Sequence, residues 1–279
     1  MPIADVDAKK LIENGVHFGT RSSRWNPKMK PFIHSKRKGI HIIDLRETLK
    51  GLFRAWHFLA QISSKGKGVL FVGTKRQAQD AIRQEAQRAN AFFVAHRWLG
   101  GTLTNMRTMR NRIVRLEELE GLETSGEIQN FSKKMIANLT RERRNIFRNF
   151  EGIRGMKELP GALVLVDPSN EDIALHEAIK LDIPIVAITD TDCDPDPVDF
   201  IIPANDDSIR SIGILLHYLA DAVIEGRKQA GQEQMIAQRA AGTPETPAAE
   251  EKGIEGVPED FTAVGGFSYG GDGSGSEEE

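Results

Sequence analysis

Residues 69–94 read VLFVGTKRQAQDAIRQEAQRANAFFV. Val69-Leu70-Phe71-Val72 is an apolar, β-favouring run too brief for a helix, and Gly73-Thr74 punctuates it. Gln77 to Asn90 then carries helix formers, and Phe92-Phe93-Val94 resumes an apolar run. Neither run alternates with polar residues, so each reads as a strand buried on both faces. Strand, helix and strand at this spacing form the βαβ unit of a parallel sheet.

The same grammar continues outward. Ala162-Leu163-Val164-Leu165-Val166, Ile185-Val186-Ala187-Ile188 and Phe200-Ile201-Ile202 are further strands, with a helix from Asp172 to Leu181 between the first two. A final helix, capped by Asn205 or Asp206, sets Ile209, Ile212, Leu216 and Leu219 on one face. Towards the amino terminus, Ile40-His41-Ile42-Ile43 reads as another strand of this set. It runs into Asp44 as an N-cap, followed by Leu45, Leu49, Leu52, Phe53, Trp56 and Leu59 at helical spacing. The pattern predicts an α/β fold, a doubly wound parallel sheet with both faces covered.

One segment departs from the alternation. Between Thr104 and Gly152, Met106, Met109, Ile113 and Leu116 recur at 3-4-3 spacing, and Leu139, Ile146 and Ile153 recur every seven. Glu120 to Asn130, with Gly121 and Gly126, is the turn between two helices. The segment predicts an inserted antiparallel, coiled-coil-like hairpin over 104–152, interrupting a sheet domain made of 1–103 and 153–228. Residues 229–279 form an acidic, Gly-rich tail. Gln229 to Ala241 can extend the preceding helix, and from Gly242 onward the chain has too little apolar surface to order and is expected to be disordered.

The chain has 279 residues and a formal net charge of −3, but that total is a cancellation. Residues 1–150 hold 29 Lys plus Arg against 13 Asp plus Glu, whereas 151–279 hold 8 against 27. Such asymmetry points to a polyanion partner for the basic half. A single Cys193 excludes a disulfide framework or a four-Cys zinc site within the chain. The longest apolar runs are too short to span a bilayer, and Met1-Pro2-Ile3-Ala4-Asp5 has no secretory character, so a cytoplasmic location is expected.

Two basic constellations carry the functional reading. Between Glu13 and Asp44 there are seven Lys or Arg and no acid: Arg21, Arg24, Lys28, Lys30, Lys36, Arg37 and Lys38, interleaved with Trp25, Asn26 and Phe32. Cations release counterions from phosphates, and an aromatic ring can stack on an unpaired base or pack the arm on the sheet. The second is Arg97-Trp98-Leu99-Gly100-Gly101-Thr102-Leu103-Thr104-Asn105-Met106-Arg107, where a ligand loop would lie at the sheet's carboxyl end. Its glycines allow close approach and the helix starting near Thr104 offers N–H donors for a phosphate, unless the glycines only make a tight turn. Arg110 continues this set, and the hairpin carries Arg110, Arg112, Arg115, Arg141, Arg143, Arg144 and Arg148 largely off its apolar seam.

Enzymatic signals are weak. Val72-Gly73-Thr74-Lys75-Arg76 follows a strand but matches neither the Walker nor the dinucleotide glycine pattern. Asp190 to Asp199 begins like a calcium loop, yet has Pro195 at the sixth position and Ile201 at the twelfth. The seven His show no metal-binding helix spacing. No cofactor or metal is expected.

The segments Gly15-Val16-His17-Phe18-Gly19, Arg24 to Lys30, Gly39 to Leu45, Leu70 to Lys75, Arg97 to Asn105 and Asp190 to Asp196 resemble, in order, the bacterial-type small-subunit ribosomal protein S2 family. The resemblance spans Ala8 to Arg227. It implies a flavodoxin-like sheet domain with a coiled-coil insertion, docked on small-subunit ribosomal RNA between head and body. It also implies contact with neighbouring ribosomal proteins, including recruitment of ribosomal protein S1. The RNA-contacting residues expected are Arg21, Arg24, Trp25, Asn26, Lys28, Lys30, Lys36, Arg37, Arg97, Trp98, Thr104, Asn105, Arg107 and Arg110. Thr20 departs from the family, which usually has His there. The competing reading is an enzyme acting on a nucleotide or phosphate ester through the loops at Gly73, Asp167 and Asp190. A third is a protein-binding adaptor that uses the hairpin.

Overall fold

The computed structural model describes residues 8–241, with side chains placed to residue 231. After a short helix α1 (Ala8–Glu13) come β1 (Phe18–Arg21), β2 (Ile33–Arg37), β3 (Ile40–Ile43) and α2 (Leu45–Ser64). The alternating unit follows: β4 (Val69–Val72), α3 (Gln79–Arg88), β5 (Phe92–Val94). Two long helices, α4 (Met106–Thr124) and α5 (Lys133–Phe150), precede β6 (Ala162–Val166), α6 (Asp172–Lys180), β7 (Ile185–Thr189), β8 (Phe200–Pro203) and α7 (Ile209–Ala241). Gln229 to Ala241 is thus helical, while the tail from Gly242 lies outside the described residues.

Five strands make one parallel sheet in the order β5-β4-β6-β7-β8. Side chains alternate across it. Val69, Phe71, Val164, Val186 and Ile188 pack with apolar residues of α2, α3 and α7; Leu70, Val72, Leu163, Leu165, Ile185 and Ala187 pack with those of α4, α5 and α6. All of these strand residues are buried, which is why their runs show no polar alternation. Both sides supply apolar area at about 25 cal/mol per Å², the main term holding the layers together.

Ile40–Ile43 is a strand, as expected, but it does not join the parallel sheet. It is the centre of a separate antiparallel sheet, β1-β3-β2, formed by the basic arm itself. The signal for β1 and β2 is hidden because one face of this sheet is solvated and its residues are largely polar. Arg37 pairs with Ile40 across a two-residue hairpin, with Lys38 at φ 49° and Gly39 at φ 81°. Two successive left-handed residues match the twist of a hairpin; glycine takes this conformation without strain and lysine does not.

Asp44 caps α2, its side chain accepting from Arg46 N–H at 2.9 Å. In the 104–152 segment, Met109, Leu116, Leu119, Ile146 and Phe150 are buried, with Ile113 and Leu139 partly so. Arg115 pairs with Glu142 at 3.2 Å and Arg143 with Glu123 at 3.0 Å between the two helices. Exposed pairs of this kind contribute at most about 1 kcal/mol each, so the apolar residues hold the segment. Gly152 lets the chain return to the sheet: a Cβ there would lie 2.2 Å from the Phe93 carbonyl oxygen.

Candidate nucleic-acid interface

The antiparallel sheet is fastened over the carboxyl ends of β7 and β8. Thr20 N–H donates to Asp190 Oδ1 and to Thr191 Oγ1, both at 3.0 Å, and the Thr20 and Thr191 hydroxyls lie 2.6 Å apart. Thr20 therefore joins arm to sheet. Asn26 N–H donates to the Thr191 carbonyl at 2.8 Å, and Asn205 N–H to that of Val16 at 3.0 Å. Burial pushes the Asp190 carboxyl up to about 7, against the opposing effect of its bonds from Thr191 and Thr20.

The arm divides into anchors and free cations. Asn26 Oδ1 accepts from Lys28 N–H at 3.0 Å and caps the 3-10 turn Pro27–Phe32. Lys28 Nζ is 2.8 Å from Asp194 and also bonds Asp196, so its charge is met internally. Trp25 is half-buried, its ring 5.2 Å from that of His41. Arg21, Arg24, Lys30, Lys36 and Arg37 are exposed and have no ion-pair partner among the described residues. Arg21 and Arg37 flank Ile40 from opposite sides, which places their backbones roughly 10 Å apart at about 4.8 Å per strand.

The Arg97–Arg107 loop follows β5, at the opposite edge of the parallel sheet. It is not the open phosphate cradle that its sequence predicts. Glu177, on the buried face of α6, accepts from Gly101 N–H at 2.7 Å, Leu103 N–H at 2.9 Å, Thr104 N–H at 3.1 Å and Thr104 Oγ1 at 3.2 Å. Trp98 is 7% exposed, and its indole N–H donates to the same carboxylate at 3.1 Å. Burial alone would raise the Glu177 pKa, but the hydrogen bonds from Thr104, Gly101, Trp98 and Leu103 outweigh it and hold the carboxyl below its ordinary range. Trp98 is therefore a core residue with no ring face free for a base, and Thr104 spends its donors on Glu177. Asn105 Oδ1 caps α4, accepting from Thr108 N–H at 3.3 Å. Arg110 donates to the Lys157 carbonyl. Arg97 and Arg107 remain exposed and unpaired.

The loop at Gly73 is closed in the same way. Glu171 Oε1 accepts from Thr74 N–H and Thr74 Oγ1, both at 2.6 Å. Lys75 Nζ lies 2.6 Å from Asp206, 2.7 Å from Asp207 and 3.2 Å from Asp167. Asp167, Cys193 and Asp206 are close enough together to resemble a metal site, but the Lys75 ammonium is already bonded to both carboxylates. Burial pushes the Cys193 thiol up, so it is no nucleophile at neutral pH. The donors and the cation that a nucleotide would need here are taken by side chains of the protein.

Glu171 and Glu177 are the loop-closing residues the sequence does not announce. The available signal is positional: Glu177 falls among Ala174, Leu175 and Ala178, on the face α6 turns to the sheet. An acid on such a face must find several donors.

The layers define an α/β protein built on a five-stranded parallel sheet. The sequence profile of the family described as Ribosomal protein S2 matches residues 11–226. The chain belongs to this family, and it is a structural protein of the small ribosomal subunit, not an enzyme. Among the described residues no helix is long and apolar enough to cross a membrane.

Proposed function

We propose that the protein binds small-subunit ribosomal RNA through the exposed cations of the arm, Arg21, Arg24, Lys30, Lys36 and Arg37, with Arg97 and Arg107 as a second group at the far sheet edge. The observation that carries this reading is the absence of any acid between Glu13 and Asp44, together with the lack of ion-pair partners for these exposed side chains. A solvated face that only keeps a protein soluble mixes both signs. Trp25, half-exposed beside His41, is read as the aromatic that stacks on an unpaired base.

The sheet domain is read as a flavodoxin-like, doubly wound scaffold. Support comes from the strand order, which is 2-1-3-4-5 when counted within the sheet, and from apolar packing on both faces. The 104–152 segment is read as an antiparallel coiled-coil insertion on which Arg112, Arg141, Arg144 and Arg148, exposed and unpaired, add to the RNA surface. Docking of ribosomal protein S1, contact with neighbouring ribosomal proteins and residence in the cytoplasm are assigned on family resemblance.

Filter binding of small-subunit ribosomal RNA to the full chain over a salt series tests the reading. If about eight phosphates are engaged, log affinity falls against log salt with a slope of about −6 at the single-strand coefficient. Binding indifferent to salt would show that the arm is not a phosphate-contacting surface.

A further inference from the structure

A second basic surface lies at the other end of the parallel sheet. A cleft of about 930 Å³ opens where the chain enters β4, β5, β6 and β7, and it is lined by Lys65, Lys67, Arg110, Lys157 and Arg227. Lys65, Lys67 and Lys157 are exposed. None of the five cations has a carboxylate partner among the described residues. Arg110 bonds only the Lys157 carbonyl, and Arg227 Nη1 only that of Ala89, at 2.7 Å. Two other partly buried cations are, by contrast, matched with acids: Arg88 with Glu85 and Asp221 at 2.6 Å each, and Lys75 with three Asp.

The cleft is thus a place where positive charge converges in excess of the acids beside it. Glu158 and Asp182 are its only acids, leaving a net charge of +3 on the lining. Arg227 is half-buried, and burial lowers its pKa, so a charged guanidinium is held there at a cost that a bound anion would offset. Between the cations, Leu159 is 45% exposed and Phe92 is half-buried, which gives apolar faces for sugar or base beside the charges. Cations alternating with apolar faces suit a nucleic-acid strand.

We propose that this cleft is a second phosphate-backbone site, taking an RNA segment distinct from the one on the arm. The proposal rests on the reading of the chain as an RNA-binding protein. The arm sits over the carboxyl ends of the strands and the cleft at their amino ends, separated by strands of four or five residues, about 13–17 Å. One protein then ties two RNA segments together, and each engaged segment raises the effective concentration of the other.

The test uses the full chain and a dodecameric oligouridylate, with stoichiometry read by titration at low salt. A Lys65→Glu/Lys67→Glu/Lys157→Glu variant should bind one oligonucleotide fewer than the wild type. On small-subunit ribosomal RNA its salt slope should be shallower by about 2, three contacts at about 0.7 each. The same three positions changed to Arg should restore both readouts, since they keep the charge. An unchanged stoichiometry and slope in the Glu variant, while Arg24→Glu/Arg37→Glu weakens binding, overturns the cleft and leaves the arm standing. Loss of one oligonucleotide in the cleft variant with no effect of the arm variant overturns the arm as RNA surface and keeps the cleft. If the Glu variant loses poly-glutamate binding but keeps its oligouridylate, the cleft serves an acidic protein and the RNA proposal is wrong.

Discussion

The Trp98 indole N–H donates to the Glu177 carboxylate at 3.1 Å inside the core, and the same carboxylate takes three backbone N–H groups of the loop that Trp98 begins. Glu177→Ala leaves the buried Trp98 and Leu103 donors unpaired, each at about 1–3 kcal/mol, with a smaller cost at the part-buried Gly101 and Thr104 donors. The loss expected in denaturant unfolding is therefore at least about 2 kcal/mol, with Glu177→Gln milder because it keeps an acceptor. A loss below about 1 kcal/mol for the alanine variant would mean that the loop stands without this carboxylate.

The Asp190 contribution to stability should fall as pH rises from about 4 to 7. Burial pushes the Asp190 carboxyl up to about 7. Across that interval the native state keeps protons that the unfolded chain, with Asp near 3.9, has released. This contribution is full below the unfolded pKa and gone above the folded one. Asp190→Asn keeps an acceptor for Thr20 and Thr191 and should flatten the Asp190 part of the curve between about pH 4 and 7. Melting temperatures that run parallel in the two proteins would contradict the assignment.

Reversing charge on the arm should weaken RNA binding without unfolding the protein. Arg24→Glu with Arg37→Glu removes two exposed, unpaired cations, so the salt slope should shrink by about 1.4 while the denaturant midpoint stays put. A shifted midpoint would indicate instead that these side chains hold the arm in place.

Tryptophan fluorescence separates the two tryptophans of the basic segments. Trp56 and Trp98 are buried and Trp25 is half-exposed. Iodide should quench only the Trp25 fraction, and RNA should protect it. Quenching that RNA does not change would place Trp25 outside the contact.

Gly152→Ala should destabilise by about 2 kcal/mol or more, because the new methyl meets the Phe93 carbonyl and ring rather than a movable side-chain end. Thermal unfolding of the variant reads this directly; an unchanged transition would show that the junction relaxes freely.

The five parallel strands were legible because strands buried on both faces leave uninterrupted apolar runs, and the two long helices because their core positions recur at helical spacing. The strands Phe18–Arg21 and Ile33–Arg37 were not, since Ile33-His34-Ser35-Lys36-Arg37 offers no apolar face long enough to register as a strand. The basic character of the arm was readable from charge alone. Which cations are free was not: the partners of Lys28 lie 166 and 168 residues away. The closing of both glycine loops depends on Glu171 and Glu177, likewise distant in sequence, so donors that look open in the primary structure are occupied in the folded one.

Those distances set an order of events during synthesis. The arm's docking partner Asp190 is made 170 residues after Thr20, and Glu177 follows Gly101 by 76. At about 5–20 residues per second the arm waits roughly 10–30 s for its seat, and the Gly101 loop several seconds for its acceptor. The nascent chain therefore emerges with its most basic part undocked, and the last strands to be made convert it into a fixed surface.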